Sequence, residues 1–286
     1  DPFGSIMVTL HDITAVRRSE QMRADFVANA SHELRTPLAS LLGFIETLRG
    51  PAEEDREARG RFLGIMSDQA GRMAKLVEEL LSLSRIETDE HRPPTEYVMM
   101  DEVLERVITG SELRAGERQM QIVHQGDTAL PPVSGDSDQL TQVFQNLVDN
   151  AITYAHPDTV ITVKTKLHDA NTTLARQVVG DNRQLIEVAV VDRGPGIPRE
   201  HLPRLTERFY RVDPARSRAA GGTGLGLAIV KHIINRHRGR LTVDSTVDEG
   251  SQFTVFLPAA MGERALGPDM KATTQTLDGQ TVTAAQ

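Results

Sequence analysis

Ser31-His32-Glu33-Leu34-Arg35-Thr36-Pro37-Leu38 places a titratable ring, a carboxylate, a hydroxyl and a proline within about two helical turns. From Leu34 onward an apolar residue returns every three or four positions. Leu34, Leu38, Leu41, Ile45 and Leu48 form a heptad seam. His32 stands two residues before Leu34, about 200° around a helix, so its ring turns away from the seam toward solvent. A histidine on an apolar-striped helix is more often an ordinary surface or packing residue. Its chemistry therefore has to be decided by the rest of the chain.

Working outward, the helical pattern runs from about Ile13 to Arg49, interrupted only by Pro37 and Gly43, and Gly50-Pro51 ends it. A second helix is expected from Asp55 to Thr88, with Phe62, Met66, Gln69, Met73, Leu76, Leu80 and Leu83 in the same rhythm. Two such helices joined by a short acidic turn carry more apolar surface than one hairpin covers. Pairing two hairpins into a four-helix bundle buries it, which predicts an obligate homodimer. Around Val16 to Arg23 the seam is interrupted by Glu20 and Arg23, as in a linker with two packings or in a plain solvated helix. Ile6–Leu10 is a short β-type run, too small to fold alone. With Asp12-Ile13-Thr14 after it, it resembles the exit of a PAS sensor domain. Residues 1–12 are thus expected to be the remnant of a cut-off sensor domain or an expression scar.

Arg92-Pro93-Pro94 breaks the pattern and marks a domain boundary. Beyond it the pattern becomes α/β. A helix is expected at Asp101–Leu113, a strand at Gln119–His124, and a longer helix from Ser137 to Ala155, capped at Ser137. Val160–Leu167 and Leu185–Val191 alternate like paired strands, with His168–Gln184 between them as a loose polar loop. A Gly-rich turn, a helix at Gly222–Arg238 and strands at Gly239–Ser245 and Gly250–Leu257 close the domain. The organisation expected is a linker helix and helical hairpin over residues 13–92, an α/β two-layer sandwich with a mixed sheet and helices on one face over 95–258, and a disordered tail over 259–286.

Composition excludes several classes. The net charge of −8 argues against nucleic acid as a partner. There is no cysteine, so neither a disulfide framework nor a thiolate metal site can form. No apolar run reaches the ~18 residues a bilayer span needs, and no signal peptide is visible. Cytoplasmic placement is expected, with any membrane attachment made through segments absent from this chain.

Four downstream motifs carry possible chemistry. Asp192-Arg193-Gly194-Pro195-Gly196 follows an apolar strand. A carboxylate at a strand end can accept a hydrogen bond from a base amine while the glycine backbone passes beneath the ring, although the same pattern also makes plain turns. Gly221-Gly222-Thr223-Gly224-Leu225-Gly226 leads into a helix, where free backbone N–H groups and the dipole favour phosphate; a flexible loop reads the same way. It lacks the Lys-Ser/Thr of a Walker A loop. Asn146 and Asn150, four apart, share a helix face, and two amides there suggest oxygen ligands for hydrated Mg²⁺, or simply partly exposed amides. Finally, Arg204 to Arg211 is rich in arginine, suited to phosphate charge or to a solvated surface.

The order of these motifs is more specific than any one of them. With His32-Glu33-x-x-Thr36-Pro37 ahead of Asn-x-x-x-Asn, Asp-x-Gly-x-Gly, Glu-Arg-Phe-Tyr-Arg and Gly-Thr-Gly-Leu-Gly, the chain resembles the sensor histidine kinases over roughly Arg23 to Leu257. Its layout is similar to that of phosphate-regulon-type sensors, and its second half resembles the Bergerat-type ATP-binding fold shared with gyrase, Hsp90 and MutL. The resemblance implies that His32 is the autophosphorylated residue, with Glu33 as its acid/base partner and Thr36 orienting water when a partner is dephosphorylated. It implies ATP and Mg²⁺ as cofactors. Asn146 and Asn150 would lie at the phosphates with Asn150 a metal ligand, Tyr154 would stack on adenine, and Asp192 would bind its amine beside Gly194 and Gly196. Arg204 would reach the γ-phosphate with Arg208 nearby, and Gly222, Thr223, Gly224, Leu225 and Gly226 would form the end of the lid. The partner implied is the receiver domain of a response regulator, whose aspartate takes the phosphoryl group, docking around Thr36–Leu42.

Two positions depart from the family pattern. Thr153 stands where a lysine usually precedes the tyrosine, and Thr206 where a phenylalanine usually precedes Glu207. Both suggest reduced activity. The rival readings are a degenerate kinase serving as scaffold or phosphatase, a gyrase- or Hsp90-like clamp ATPase, and a dimeric coiled-coil adaptor. Clamp ATPases lack the His-Glu-x-x-Thr-Pro helix and carry a water-activating Glu where this chain has Asn146. An adaptor would leave the glycine motifs without a role.

Overall fold

A computed structural model of the chain describes residues 12–50, 52–89, 92–179, 183–219 and 221–260. The expected strand at Ile6–Leu10 and nearly all of the tail lie outside them. The chain divides into two compact units, with the boundary between Glu78 and Glu79 inside the second helix.

The first unit is the helical hairpin. Helix α1 spans Thr14–Leu48 and runs through Pro37 without a break. Proline has no N–H to give to the carbonyl one turn back, so the ladder loses a bond there. Helix α2 spans Arg56–Asp89. Asp55 caps it, its Oδ1 accepting from the amides of Glu57 at 3.0 Å and Ala58 at 2.9 Å. Phe44 and Phe62 stack with ring centroids 5.3 Å apart, pinning the two helices near the turn. Within one chain much apolar surface of the hairpin stays uncovered: Leu38 and Ile45 of the α1 seam with Leu42 beside them, and Leu63, Ile65 and Val77 outside the α2 seam, are exposed.

The second unit is an α/β sandwich. Strand β1 (Glu96–Val98) pairs antiparallel with β3 (Val133–Gly135) in a small sheet that the sequence pattern did not suggest. Helix α3 covers Met100–Gly116. The main sheet has the order β2-β4-β5-β7-β6, from β2 (Gln121–Gly126), β4 (Val160–His168), β5 (Leu185–Asp192), β6 (Arg240–Thr246) and β7 (Gly250–Pro258). Only β2–β4 is parallel, so the sheet is mixed, as expected. Helices α4 (Ser137–Tyr154) and α7 (Gly226–Arg236) pack on one face. Strand register explains why. Ile161 and Val163, Ile186, Val188 and Val190, and Val255 and Leu257 all point to that face and are buried with Phe144, Leu147 and Ile229. Lys164, Lys166 and Glu187 point to the other.

Two local expectations change. The cap of α4 is Asp136 rather than Ser137, its Oδ1 accepting from the Asp138 and Gln139 amides at 3.1 Å each. Asp136 has extended backbone, which an N-cap requires and a first-turn residue cannot have. The polar stretch after β4 contains a helix, α5 (Thr173–Val179). Leu174, Ala175 and Val178 share one of its faces and pack on Leu185 and Phe256, adding local cover to the otherwise polar side of the sheet.

Candidate phosphoacceptor and nucleotide sites

In the hairpin unit, His32 is exposed, as the seam geometry demands, while Glu33 is half-buried and Pro37 buried. The Thr36 hydroxyl donates back to the His32 carbonyl at 3.2 Å, and the Ser40 hydroxyl to the Thr36 carbonyl at 3.2 Å. Thr36 therefore sits one turn from His32 with its oxygen on the same flank of the helix.

In the α/β unit, β5 ends at Asp192, whose side chain points to the helix-covered face and is 8% exposed. Burial pushes its carboxyl up to about 6, opposed by hydrogen bonds from the Gly194 and Ser251 amides and by the nearby His156. An ionised acceptor at such a site is costly unless a donor arrives, which suits an incoming amine. Gly194 is required by contact: a Cβ there would lie 2.9 Å from Asp192 Oδ1 and 3.0 Å from the Tyr154 carbonyl. The turn can press against the end of α4 only without a side chain. Asp192, Gly194 and Tyr154 are thereby brought together from positions far apart in the chain.

Helix α4 carries Asn146 and Asn150 on one half-buried face. The Asn146 amide nitrogen donates to the Gly226 carbonyl at 3.4 Å, linking it to the start of α7. The helix expected from Gly222 begins at Gly226, because Gly221 and Gly224 hold positive φ values of 76° and 78°. Gly222 to Leu225 form the turn before it. The Thr223 hydroxyl accepts from the Leu225 amide at 3.2 Å and donates to Glu79 in the last turns of α2, which belong to this second unit. Opposite the turn, the Phe209 amide donates to the Gly224 carbonyl at 2.8 Å. The two ends of the segment between Phe209 and Gly224 are thus tied together, as the hinges of a lid would be. Within that segment a short helix α6 (Pro214–Ala219) places Ser217 against Tyr154.

The arginines divide. Arg208 pairs with Glu87. Arg204 pairs with Glu207 at 3.2 Å and stacks over the Tyr210 ring at 4.3 Å, while the Tyr210 hydroxyl lies 2.5 Å from His201 Nδ1. Neither is gathered with Asp192 and Tyr154. Thr153, at the expected lysine position, has its carbonyl bound by Arg118. Sequence reading missed Arg118, Arg216, Ser217 and His237, all of which act on α4 across 34 to 101 positions of chain. A one-dimensional pattern carries no signal for such partners.

Comparison with known proteins bears on both units. The model of the His Kinase A (phospho-acceptor) domain matches residues 22–89. The model described as Histidine kinase-, DNA gyrase B-, and HSP90-like ATPase matches residues 135–261. The phosphate regulon sensor protein PhoR of Pseudomonas aeruginosa is 38% identical over 258 residues, which is 90% of this chain and 55% of that protein. The chain thus spans about half the length of this curated relative. The solved structure of the Acinetobacter baumannii histidine kinase AdeS is 26% identical, with a TM-score of 0.59 over 80% of this chain and 98% of that one. A structure of the histidine kinase ThkA in complex with the response regulator protein TrrA shares the fold, with a TM-score of 0.63, 21% identity and coverage of 85% of this chain and 64% of that one. With a phosphoacceptor module around an outward histidine, an ATPase-type module around a buried aspartate, and both in the expected order, the chain belongs to the sensor histidine kinases of two-component systems, of the phosphate-regulon-sensor type.

Proposed function

We propose that this chain is a kinase core that autophosphorylates His32 from ATP with Mg²⁺ and passes the phosphoryl group to an aspartate of a response-regulator receiver domain. The observation that carries this reading is the presence, in one chain, of an exposed imidazole in the phosphoacceptor module and a buried acceptor, Asp192, beside a glycine turn in the ATPase module. The ThkA complex supports a regulator as partner.

The chemistry follows from the residues. A neutral His32 with its proton on Nδ1 presents the Nε2 lone pair to the γ-phosphorus. The new N–P bond forms as the bond to the bridging oxygen breaks, and ADP leaves with that electron pair. Glu33 accepts a hydrogen bond from Nδ1–H and stabilises the cation that develops. Phosphoryl transfer depends on in-line placement and charge neutralisation. Asn146 and Asn150 provide side-chain oxygens on one face of α4, which fits a hydrated Mg²⁺, with Asn150 the ligand. When bound, the ion would neutralise phosphate charge. Asp192 would accept from the adenine amine, with Tyr154 stacking on the ring and the turn at Gly222–Gly226 approaching the phosphates. Arg204 and Arg208 would meet phosphate charge after leaving Glu207 and Glu87. Thr36 would orient water in dephosphorylating the regulator.

The exposed apolar residues of the hairpin, Leu38, Leu42 and Ile45 on α1 and Leu63, Ile65 and Val77 on α2, support a second copy of this chain as the partner that completes a four-helix bundle. No helix among the described residues is long and apolar enough to cross a membrane. The proposed setting is the cytoplasm, as part of a longer membrane-anchored sensor. Incubation with γ-labelled ATP and Mg²⁺ tests the reading. Label that is acid-labile, base-stable and absent from His32→Gln is expected. Label persisting in His32→Gln, or none in the unmodified chain, would refute it, the latter favouring a scaffold or phosphatase.

A further inference from the structure

A helix leaves its last carbonyls without intrahelical partners, and α4 has no basic residue in its last turn to answer them. The Ala151 carbonyl accepts from the Ala155 amide at 3.0 Å. Arg118, from the turn after α3, donates to the carbonyls of Ile152, Thr153 and Ala155, the last two at 2.8 and 3.1 Å. The carbonyl left over is that of Tyr154, and its donor is Arg216, at 3.1 Å. Arg216 belongs to α6, between the tied hinges at Phe209 and Gly224. The next residue on that helix reaches the other end of the same tyrosine: the Tyr154 hydroxyl donates to Ser217 Oγ at 3.1 Å.

Burial, close packing and capping show that this arrangement is built. Ser217 is only 5% exposed although it lies on a short surface helix. Its carbonyl accepts from the Gly222 amide at 2.8 Å, and a Cβ at Gly222 would lie 2.6 Å from Ser217 Oγ and 3.4 Å from the Tyr154 hydroxyl. Glycine there is what lets the loop close on the pair. Asp213 caps the start of α6 through the amides of Ala215 and Arg216 at 2.9 and 3.0 Å, fixing the backbone from which both side chains project.

We propose that Arg216 and Ser217 are positioning residues for nucleotide binding: they grip Tyr154 by its carbonyl and its hydroxyl, so docking of α6 and formation of the base-binding wall are one event. Arg118 holds the end of α4 from the domain core, whereas Arg216 and Ser217 hold it from the lid segment. The proposal rests on the reading of Tyr154 as an adenine-stacking residue. A nucleobase entering beside Tyr154 would meet a ring already oriented when α6 is docked and a free one when it is not. The energetic consequence is coupling between residues 154 and 217, measurable in a double-mutant cycle.

The full chain with ATP and Mg²⁺ serves for the test, with titration calorimetry for affinity and labelled ATP for KM and kcat. Ser217→Ala and Tyr154→Phe each lose the same hydrogen bond, so each is expected to weaken ATP by about 3- to 10-fold. The double variant is expected to be no weaker than either single. Arg216→Met should also raise KM for ATP more than it lowers kcat, with partial recovery in Arg216→Lys. A merely structural role would instead lower the melting temperature and the active fraction with KM unmoved. Additive effects of Ser217→Ala and Tyr154→Phe, or a Ser217→Ala affinity equal to that of the unmodified chain, would overturn the proposal while leaving the nucleotide site in place. Tyr154→Ala binding ATP as tightly as the unmodified chain would overturn the reading of Tyr154 itself, and the proposal with it.

Discussion

His237 Nε2 accepts a hydrogen bond from the Asp136 amide at 3.0 Å, while its Nδ1 donates to the Ile233 carbonyl at 2.7 Å. One buried imidazole thus ties the C-terminus of α7 to the N-cap of α4, the two helices that frame the candidate nucleotide site. The tautomer is fixed by its partners: protonating Nε2 would set two donors face to face.

Burial holds the His237 imidazole below the usual histidine range. The unfolded chain binds a proton near about pH 6.5, where the folded chain does not. Stability from this group is therefore fully present above that pH and is lost as pH falls toward the lower folded value. His237→Phe should lose about 1–3 kcal/mol at pH 8 through the unpaired Asp136 amide, and its stability should depend less on pH between about 5 and 7. Urea unfolding of both proteins across that range checks this; parallel pH profiles would refute it.

Asp192 titrates in the opposite sense. Its folded carboxyl is raised from 3.8 to about 6, so its neutral form is the comfortable one. Stability from this group is fully present below the unfolded value and is lost as pH rises through about 6. Asp192→Asn should accordingly stabilise the fold at pH 8, by about 1–3 kcal/mol, while weakening ATP by at least about tenfold. In the unmodified chain, ATP affinity should fall as pH drops below about 6, because a protonated carboxyl is a poorer acceptor. Affinity that stays level down to about pH 5 would sink the assignment.

Gly224 holds φ at 78°, and a Cβ there would meet the Phe209 backbone at 2.9 Å. Gly224→Ala should separate the two hinges and raise the ATP dissociation constant by about tenfold, a strain of roughly 1–2 kcal/mol acting on the closed lid. Hydrogen exchange at the Phe209 amide would report the opening directly. Unchanged protection there would refute the hinge.

Pro37→Ala restores the missing N–H in α1 and should raise the melting temperature of the hairpin. If the weakened ladder lets the helix bend between kinase and phosphatase states, the same change shifts the ratio of the two activities toward one of them. Phosphotransfer and dephosphorylation assays with one regulator measure that ratio, and an unaltered value rules the bend out.

Some of this architecture was open to inspection in one dimension. The seam from Leu34 to Leu48 placed a helix and turned His32 outward, because side-chain direction repeats with the helix period. The alternation of Val160–Leu167 and Leu185–Val191 placed a strand pair with Asp192 directly after it, and the observed strands run one residue further, to His168 and Asp192. Asp136 was missed as the cap because Ser137 is an equally good cap residue, and only the backbone angles separate them. Helix α5 was missed because Leu174, Ala175 and Val178 make too short a stripe to stand out before Leu185 and Phe256 give it a surface to cover.

The sequence alone determined the order of the modules, the helices and strands whose periodicity is strong, and the residue types available for phosphate chemistry. These are local properties, set by side-chain spacing and backbone preference. The tertiary structure decided which of those residues act together. Arg118, Arg216 and Ser217 reach the end of α4 from distant segments, His237 holds its beginning, and Arg204 and Arg208 are drawn to Glu207 and Glu87. Such partnerships arise from burial and from the need to pair every polar group removed from water, and both become defined only once the chain has closed on itself.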